Sequence, residues 1–332
     1  MRIPGNHDLA IIDNYLYADS FIDLVVFDVT VKSSIKEISR VERVFDHAQS
    51  YGYPMLSNNL VLTDWKKVST VNVYESRCDK QLQPWGGRFF EDGIVLNFAA
   101  SNTKATGPQL SGAGKGGSMA RFTITQNNLY ALDGAKLDVI GLDQPAFPVM
   151  GKEVEIGWDV ETLFPYKDKL FAGSRSGMYI YDLQDPRTPK LLSKYEHLRS
   201  CDPVVVDDSY AYVTLRNGST CQGFVNQLEV INITNLSSPK LVKIYPMTNP
   251  YGLGIDNKIL FICDGADGLK IFDAADVNSI DVNRLAHYPA IKALDIIPFN
   301  AIAMMISSDG LYQYNYADPK NIFQISKLPI SQ

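Results

Sequence analysis

The sequence predicts an all-β fold: a six-bladed β-propeller with one long top-face insertion between the first and second blades. Three observations predict it. A unit made of a short apolar run, a polar turn and a second, alternating run recurs along the 332 residues. Four of the five gaps between successive copies are about 40–50 residues, the length of a four-stranded propeller blade, and the first is far longer and holds the insertion. Turns rich in Gly, Asp, Asn and Pro separate the runs and leave little room for helix.

The copies, in order, are LYADSFIDLVVFDV (16–29), LYALDGAKLDVIGLD (129–143), LFAGSRSGMYIYDL (170–183), AYVTLRNGSTCQGFVNQLEVINI (211–233), LFICDGADGLKIFD (260–273) and the degenerate IAMMISSDGLYQYN (302–315). Each closes on an acidic residue or its amide: Asp28, Asp143, Asp182, Asn232, Asp273 and Asn315. The apolar run is the second strand of a sheet, and the alternating run is the third. A first strand precedes each unit: DLAIID, RFTIT, ETLFPY, PVVVDD, GLGID and ALDIIP. A fourth follows a turn, as in DPRTPKLLSKY and SSPKLVKIY. Such sheets must bury both faces and hide their edges, and radial packing about an axis does both. The whole chain, 1–332, then forms one domain.

Composition narrows the function classes. Hydrophobic residues make up 45% and charged residues 20%, which suits a large core and argues against disorder. The formal charge is −6 and no Lys/Arg run occurs, so nucleic acid is not an expected partner. No stretch reaches the roughly 18 apolar residues of a membrane-spanning helix. The start, MRIPGNHDLAIID, has no apolar core of a leader peptide. The four cysteines (Cys78, Cys201, Cys221 and Cys263) form no CxxC pair, and no cofactor or zinc site is expected.

The stretches GWDVETLFPYKDKLFAGS (157–174), RSCDPVVVDDSYAYVTLR (199–216) and NPYGLGIDNKILFICDGADGLKIFD (249–273) resemble the LVIVD-repeat lipoproteins of Bacteroidetes-type bacteria. The resemblance covers nearly the whole chain outside the insertion. It implies a β-propeller exported to the cell envelope, as an outer-membrane lipoprotein or in the periplasm, with a lipid anchor upstream of the first residue given. It implies no particular activity.

The repeat register points to one end of the propeller. The start of strand one, the turn between strands two and three, and the link to the next blade share an end, the top. Counting back ten residues from the aromatic that anchors the second strand of each copy (Tyr17, Tyr130, Phe171, Tyr212 and Phe261) places His7, Ala120, Glu161, Asp202 and Tyr251 in a ring there, and aligning the Asp-Gly turns adds Ala293, with Asp8, Arg121, Cys201 and Lys292 beside it. Arg199 and His197 read either as part of the same rim or as a solvated loop. One reading is a polar funnel that binds a small ligand, with His7, Glu161 and Asp202 able to ligate a divalent cation. The other is a water-filled channel whose polar groups satisfy one another. No fixed ligand motif is present, so no metal is assigned.

Cys201 and Cys221 both fall at the top of the fourth blade, where a disulfide fits the register; two buried thiols are the alternative. Cys263 reads as core packing and Cys78 as a loop thiol.

The insertion, residues 46–119, holds Tyr51, Tyr53, Trp65, Trp85, Phe89 and Phe90 and two strand-like runs, VSTVNVY and GIVLNFA. It reads as a lid or partner surface, or as an extension of the blades with its aromatics buried. Near its end, Gly112, Gly114 and Gly117 have dinucleotide-loop spacing. A strand, RFTIT, follows instead of the helix such a loop needs, so a turn is expected there.

No GxSxG or HExxH occurs, and the histidines (His7, His47, His197 and His287) are scattered. The expectation is a scaffold without catalysis whose top face binds a protein or glycan. The alternative is a hydrolase acting on a sugar, lactone or ester, with Glu161 and Asp202 dividing acid and base roles beside His7.

Overall fold

The computed structural model describes residues 3–45, 116–157, 159–196, 203–217 and 225–330. They form six four-stranded antiparallel sheets arranged as a six-bladed β-propeller. Blade 1 is β1 (Leu9–Ile12), β2 (Tyr15–Ser20), β3 (Asp23–Asp28) and β4 (Lys36–Val41). Blade 2 is β5 (Phe122–Thr125), β6 (Asn128–Asp133), β7 (Lys136–Gly141) and β8 (Val149–Glu155). Blade 3 is β9 (Val160–Tyr166), β10 (Lys169–Ser174), β11 (Gly177–Asp182) and β12 (Lys190–Glu196). Blade 4 is β13 (Val204–Val206), β14 (Tyr210–Leu215), β15 (Gln227–Asn232) and β16 (Lys240–Pro246). Blade 5 is β17 (Leu253–Asp256), β18 (Ile259–Cys263), β19 (Leu269–Asp273) and β20 (Arg284–Tyr288). Blade 6 is β21 (Ala293–Phe299), β22 (Ile302–Ser307), β23 (Gly310–Asn315) and β24 (Phe323–Pro329). Each sheet runs in chain order from the axis outward.

The predicted units are these blades, with one correction. The residue closing strand three of blade 2 is Gly141, not Asp143. Gly141 pairs with Asn128 as Asp28 pairs with Tyr15 and Asp182 with Lys169. The shared role of the other closers is an Asx turn, which ends the strand by capping a backbone amide two residues on. Asp28, Asp182, Asn232, Asp273 and Asn315 accept from the amides of Thr30, Gln184, Thr234, Ala275 and Ala317. Asp143 instead forms an ion pair with Arg187 of blade 3.

Apolar faces meet at the joints between blades. Ala10, Tyr17, Leu24 and Val26 of blade 1 pack on Phe122, Ile124, Leu129 and Ile140 of blade 2. Comparable clusters join blades 2 and 3, 3 and 4, 4 and 5, and 5 and 6. Each of these joints also has a hydroxyl bond reaching into the next blade's outer turn. Tyr17 donates to the Pro145 carbonyl at 2.7 Å and Tyr130 to Pro186 at 2.6 Å. Ser193 donates to Leu236 at 2.5 Å, Tyr245 to Val277 at 2.6 Å and Tyr288 to Lys320 at 2.9 Å. The first four satisfy carbonyls that packing takes wholly or partly from water, the last is exposed, and each is worth about 1 kcal/mol net.

The joint of blades 5 and 6 is closest at the axis, because Gly252 and Gly254 have no side chains. A Cβ on Gly254 would lie 2.4 Å from Pro298 Cδ and 2.7 Å from the Ile296 carbonyl. The Gly252 amide donates to the Leu294 carbonyl across the joint at 2.8 Å.

Gly254→Ala should therefore lower stability by about 1–3 kcal/mol, as overpacking does. Gly141→Ala, whose new Cβ would meet nothing closer than 3.7 Å, should leave stability unchanged or slightly raised. Urea unfolding of both variants checks this; equal effects would contradict the close approach.

Candidate functional site at the mouth of the axis

The top is where the sequence placed it. The Phe45 amide, on the link leaving blade 1, donates to Ile22 in that blade's turn between strands two and three. The amides of Ile156 and Met247 bond in the same way to Ala135 and Asn226. The widened turn of blade 4 also lies here, between Leu215 and Gln227, which still pair across it.

Several of the predicted rim residues are tied to partners close by. The Asp19 carboxylate accepts the amides of His7 and Asp8 and the side-chain amide of Asn6, and it holds His7 Nδ1 at 2.9 Å. That hydrogen bond raises the His7 pKa above its ordinary value, against the pull of burial and of the nearby Arg121 charge. Asp8 spans a joint: its Oδ2 accepts the amides of Arg121 and Phe122 in blade 2, both at 2.7 Å. Arg121 donates back to the Leu132 carbonyl in its own blade.

Glu161 lies at an irregularity of its strand. A β-bulge shifts the register of β9, so Ser174 pairs with Val160 and Gly173 with Thr162. The extra residue is Glu161, whose carboxylate takes Arg175 Nε at 2.7 Å. A bulge adds one residue and re-aims a side chain, which a fixed count cannot foresee. Tyr251 lies under the Arg216 guanidinium, 3.9 Å from the ring centre, and its carbonyl accepts the Thr214 hydroxyl. Lys292 caps the carbonyls of Ala266 and Pro289. Arg199, Asp202 and the Cys201–Cys221 pair lie outside the described residues, as does the insertion up to residue 115. Among the described residues, no group of three His, Cys, Asp or Glu is placed to hold a metal.

The structure adds an axial group that the ring count passed over. Asp295 of β21 is buried; its Oδ1 accepts the Ser118 hydroxyl at 2.8 Å. Ser118 Oγ in turn accepts the Leu253 amide at 2.9 Å. A short stretch of chain before blade 2 thus lies against the inner strands of blades 5 and 6. Gly117 and Gly252 press on the carboxylate so closely that a Cβ on either would fall 2.1 Å from one of its oxygens. Oδ2 has no well-formed hydrogen bond. Burial pushes the Asp295 pKa up to about 7, offset only in part by the Ser118 hydroxyl and neighbouring amides. The available signal was an acidic residue inside an apolar run, ALDIIP, opposite the glycines of YGLGID.

A second buried carboxylate, Asp138 of β7, also titrates near 7, through burial first and then the charges of Asp133 and Glu153. At the top of blade 5, the buried Asp264 accepts Lys270 Nζ at 2.5 Å and the amides of Thr248 and Asn249. Burial pulls the Lys270 ammonium down, but its bonds to Asp264 and Asp267 hold it above its ordinary value.

No protein-family model matches the chain, and no curated protein matches it either. Solved structures are similar in fold. A protein from Lactobacillus plantarum aligns with a TM-score of 0.56 at 9% identity, covering 97% of this chain and 84% of that one. The computationally designed Ika8 protein aligns with a TM-score of 0.50 at 9% identity, covering 98% and 87%. BamB from Moraxella catarrhalis aligns with a TM-score of 0.49 at 9% identity, covering 97% and 74%.

The raised carboxylates set a pH dependence. A carboxyl that is harder to ionise folded than unfolded stabilises fully below the unfolded pKa of about 4, and this is lost as pH rises towards 7. His7, raised by Asp19, adds with the same sign. Carboxylates held low, such as Asp309 at about 2 beside Lys327 and Tyr312, are ionised in both states above pH 5. Stability to urea should therefore fall from pH 5 to pH 8, by on the order of 2 kcal/mol. Asp295→Asn should reduce that fall; an unchanged slope in the variant would show that Asp295 ionises freely.

Proposed function

We propose that this chain is a non-catalytic propeller scaffold of the cell envelope, whose top face binds a protein or glycan partner. The observation that carries this reading is how the acidic groups at the mouth of the axis are employed. Asp8 fastens blade 1 to blade 2, Asp19 orders the entry to β1, and Glu161 pairs with Arg175. The axial carboxylate whose pKa is raised, Asp295, lies beneath Gly117 and Ser118. A general acid must reach the atom it protonates, within hydrogen-bond distance or through one water. The hydrolase reading gains support from the Asp295 pKa near 7 and loses it from this burial.

The envelope location and the LVIVD-repeat kinship are part of the proposal and rest on the sequence resemblance. The fold neighbours support the propeller alone, because fold does not fix function.

The test uses Arg121→Ala, Glu161→Ala and Asp202→Ala combined. Capture from an envelope extract of the source organism should recover defined proteins or glycans on the wild type and lose them on the variant. The part-exposed Glu161–Arg175 pair contributes about 0–1 kcal/mol, so its loss should leave the variant folded. An identical bound set would contradict the top-face assignment. Hydrolytic turnover by the wild type that disappears in Glu161→Ala/Asp202→Ala would contradict the absence of catalysis.

A further inference from the structure

The rim above the joint of blades 1 and 2 separates its charges by depth. Its carboxylates are buried and occupied. Asp19 takes the amides of His7 and Asp8 and the side-chain amide of Asn6, and Asp8 takes the amides of Leu9, Arg121 and Phe122. Its cationic side chains reach the surface. The His7 side chain is 67% exposed and Arg121 is half-buried.

These two side chains stand together. Asp8, the residue after His7, accepts the Arg121 amide at 2.7 Å, so both residues flank one carboxylate. Their charges meet as well. The Asp19 hydrogen bond raises the His7 pKa, and the Arg121 charge works against it. Each side chain is held by one neighbour. Asp19 Oδ2 lies 2.9 Å from His7 Nδ1, so Nδ1 carries a proton and Nε2 is the nitrogen left for a ligand. Arg121 donates to the Leu132 carbonyl at 3.3 Å through one nitrogen of its guanidinium. Among the described residues, neither His7 Nε2 nor the Arg121 guanidinium meets a carboxylate.

We propose that His7 and Arg121 bind the carboxylate of an acidic sugar, one oxygen accepting from His7 Nε2–H and the other from the guanidinium. Two neighbouring cations repel each other, and an anion between them removes that cost. The buried Asp8 and Asp19 carboxylates offset the pair's charge, which suits a monoanion and disfavours a dianion such as sulfate. Peptides are recognised largely through main-chain hydrogen bonds. Here the amides of residues 7, 8, 9, 121 and 122 are taken by Asp8 and Asp19, so the donors left are side chains, as a sugar acid requires. The proposal deepens the top-face reading and rests on it for the partner. The pair lies beside the axis that Ser118 and Asp295 close, so it needs no open channel.

Nitrogen NMR of the His7 imidazole in the full chain tests this, with sodium glucuronate as the probe at constant ionic strength. At pH 5.5, glucuronate at about 50 mM should shift His7 Nε2, and sodium chloride should not. Affinity should fall on the order of tenfold by pH 9, as Nε2 loses its proton and with it a charge-assisted hydrogen bond. His7→Asn keeps a donor for Asp19 but puts nothing in place of Nε2. Arg121→Gln keeps a donor for Leu132 but removes the guanidinium. Each should weaken glucuronate binding about tenfold, read from the Arg121 Nε–H resonance in the first and from His7 in the second. The pH dependence should vanish in His7→Asn. No shift, or one that chloride reproduces, overturns the proposal. A stronger response to sulfate or to N-acetylglycine also overturns it, by assigning a dianion or a peptide carboxylate. These probes need no natural partner, so their failure strikes the pair alone, while capture on the triple variant judges the top-face reading.

Discussion

Everything in this molecule depends on burying both faces of each small sheet. A four-stranded sheet with apolar side chains on both sides has no stable existence in water by itself. Ranking the sheets about an axis lets each cover its neighbour, so a joint between blades is the unit of stability. The joints share one design: an apolar patch from strands two and three, and a Tyr or Ser hydroxyl that reaches the next blade's outer turn. The hydroxyl matters because close packing would otherwise leave a buried carbonyl without a partner.

This design was largely legible in the sequence. The third strand of each blade alternates with period two, and the inner three strands are bounded by turn residues, so their boundaries fall within a residue or two of those found. The anchor aromatics Tyr17, Tyr130, Phe171, Tyr212 and Phe261 are the buried second-strand residues that the repeat implied. What counting could not see was irregular geometry. Gly141 stands in for an Asx closer, and nothing in LDVIGLD says which residue pairs with Asn128. The bulge at Glu161 depends on β9 meeting β10 and leaves no mark in composition. The axial contact of Ser118 with Asp295 joins residues 177 positions apart, beyond the reach of local patterning.

The polar groups at the mouth of the axis are as structural as the core. Asp8 and Asp19 accept backbone amides that would lack partners where strands begin. Asp264 does the same in blade 5 and balances the Lys270 charge. The outer edges carry a different device. The exposed fourth strands mix apolar residues such as Val149, Leu191, Leu241 and Phe323 with lysines, including Lys36, Lys152, Lys190, Lys243 and Lys327. Charged side chains on an edge strand oppose pairing with another sheet. The long edge is thereby kept from aggregating, while the top remains the face with varied loops.

The central claim is that the mouth of the axis is filled by the chain itself. Electron density between Gly117, Ser118, Gly252 and Asp295 in a crystal of the full-length chain tests it most directly. The account expects Ser118 Oγ between the Asp295 carboxylate and the Leu253 amide, with the glycine backbones closed over both. An open funnel there, holding a metal or an ordered ligand against Asp295 or His7, would contradict it and place the chemistry on the axis.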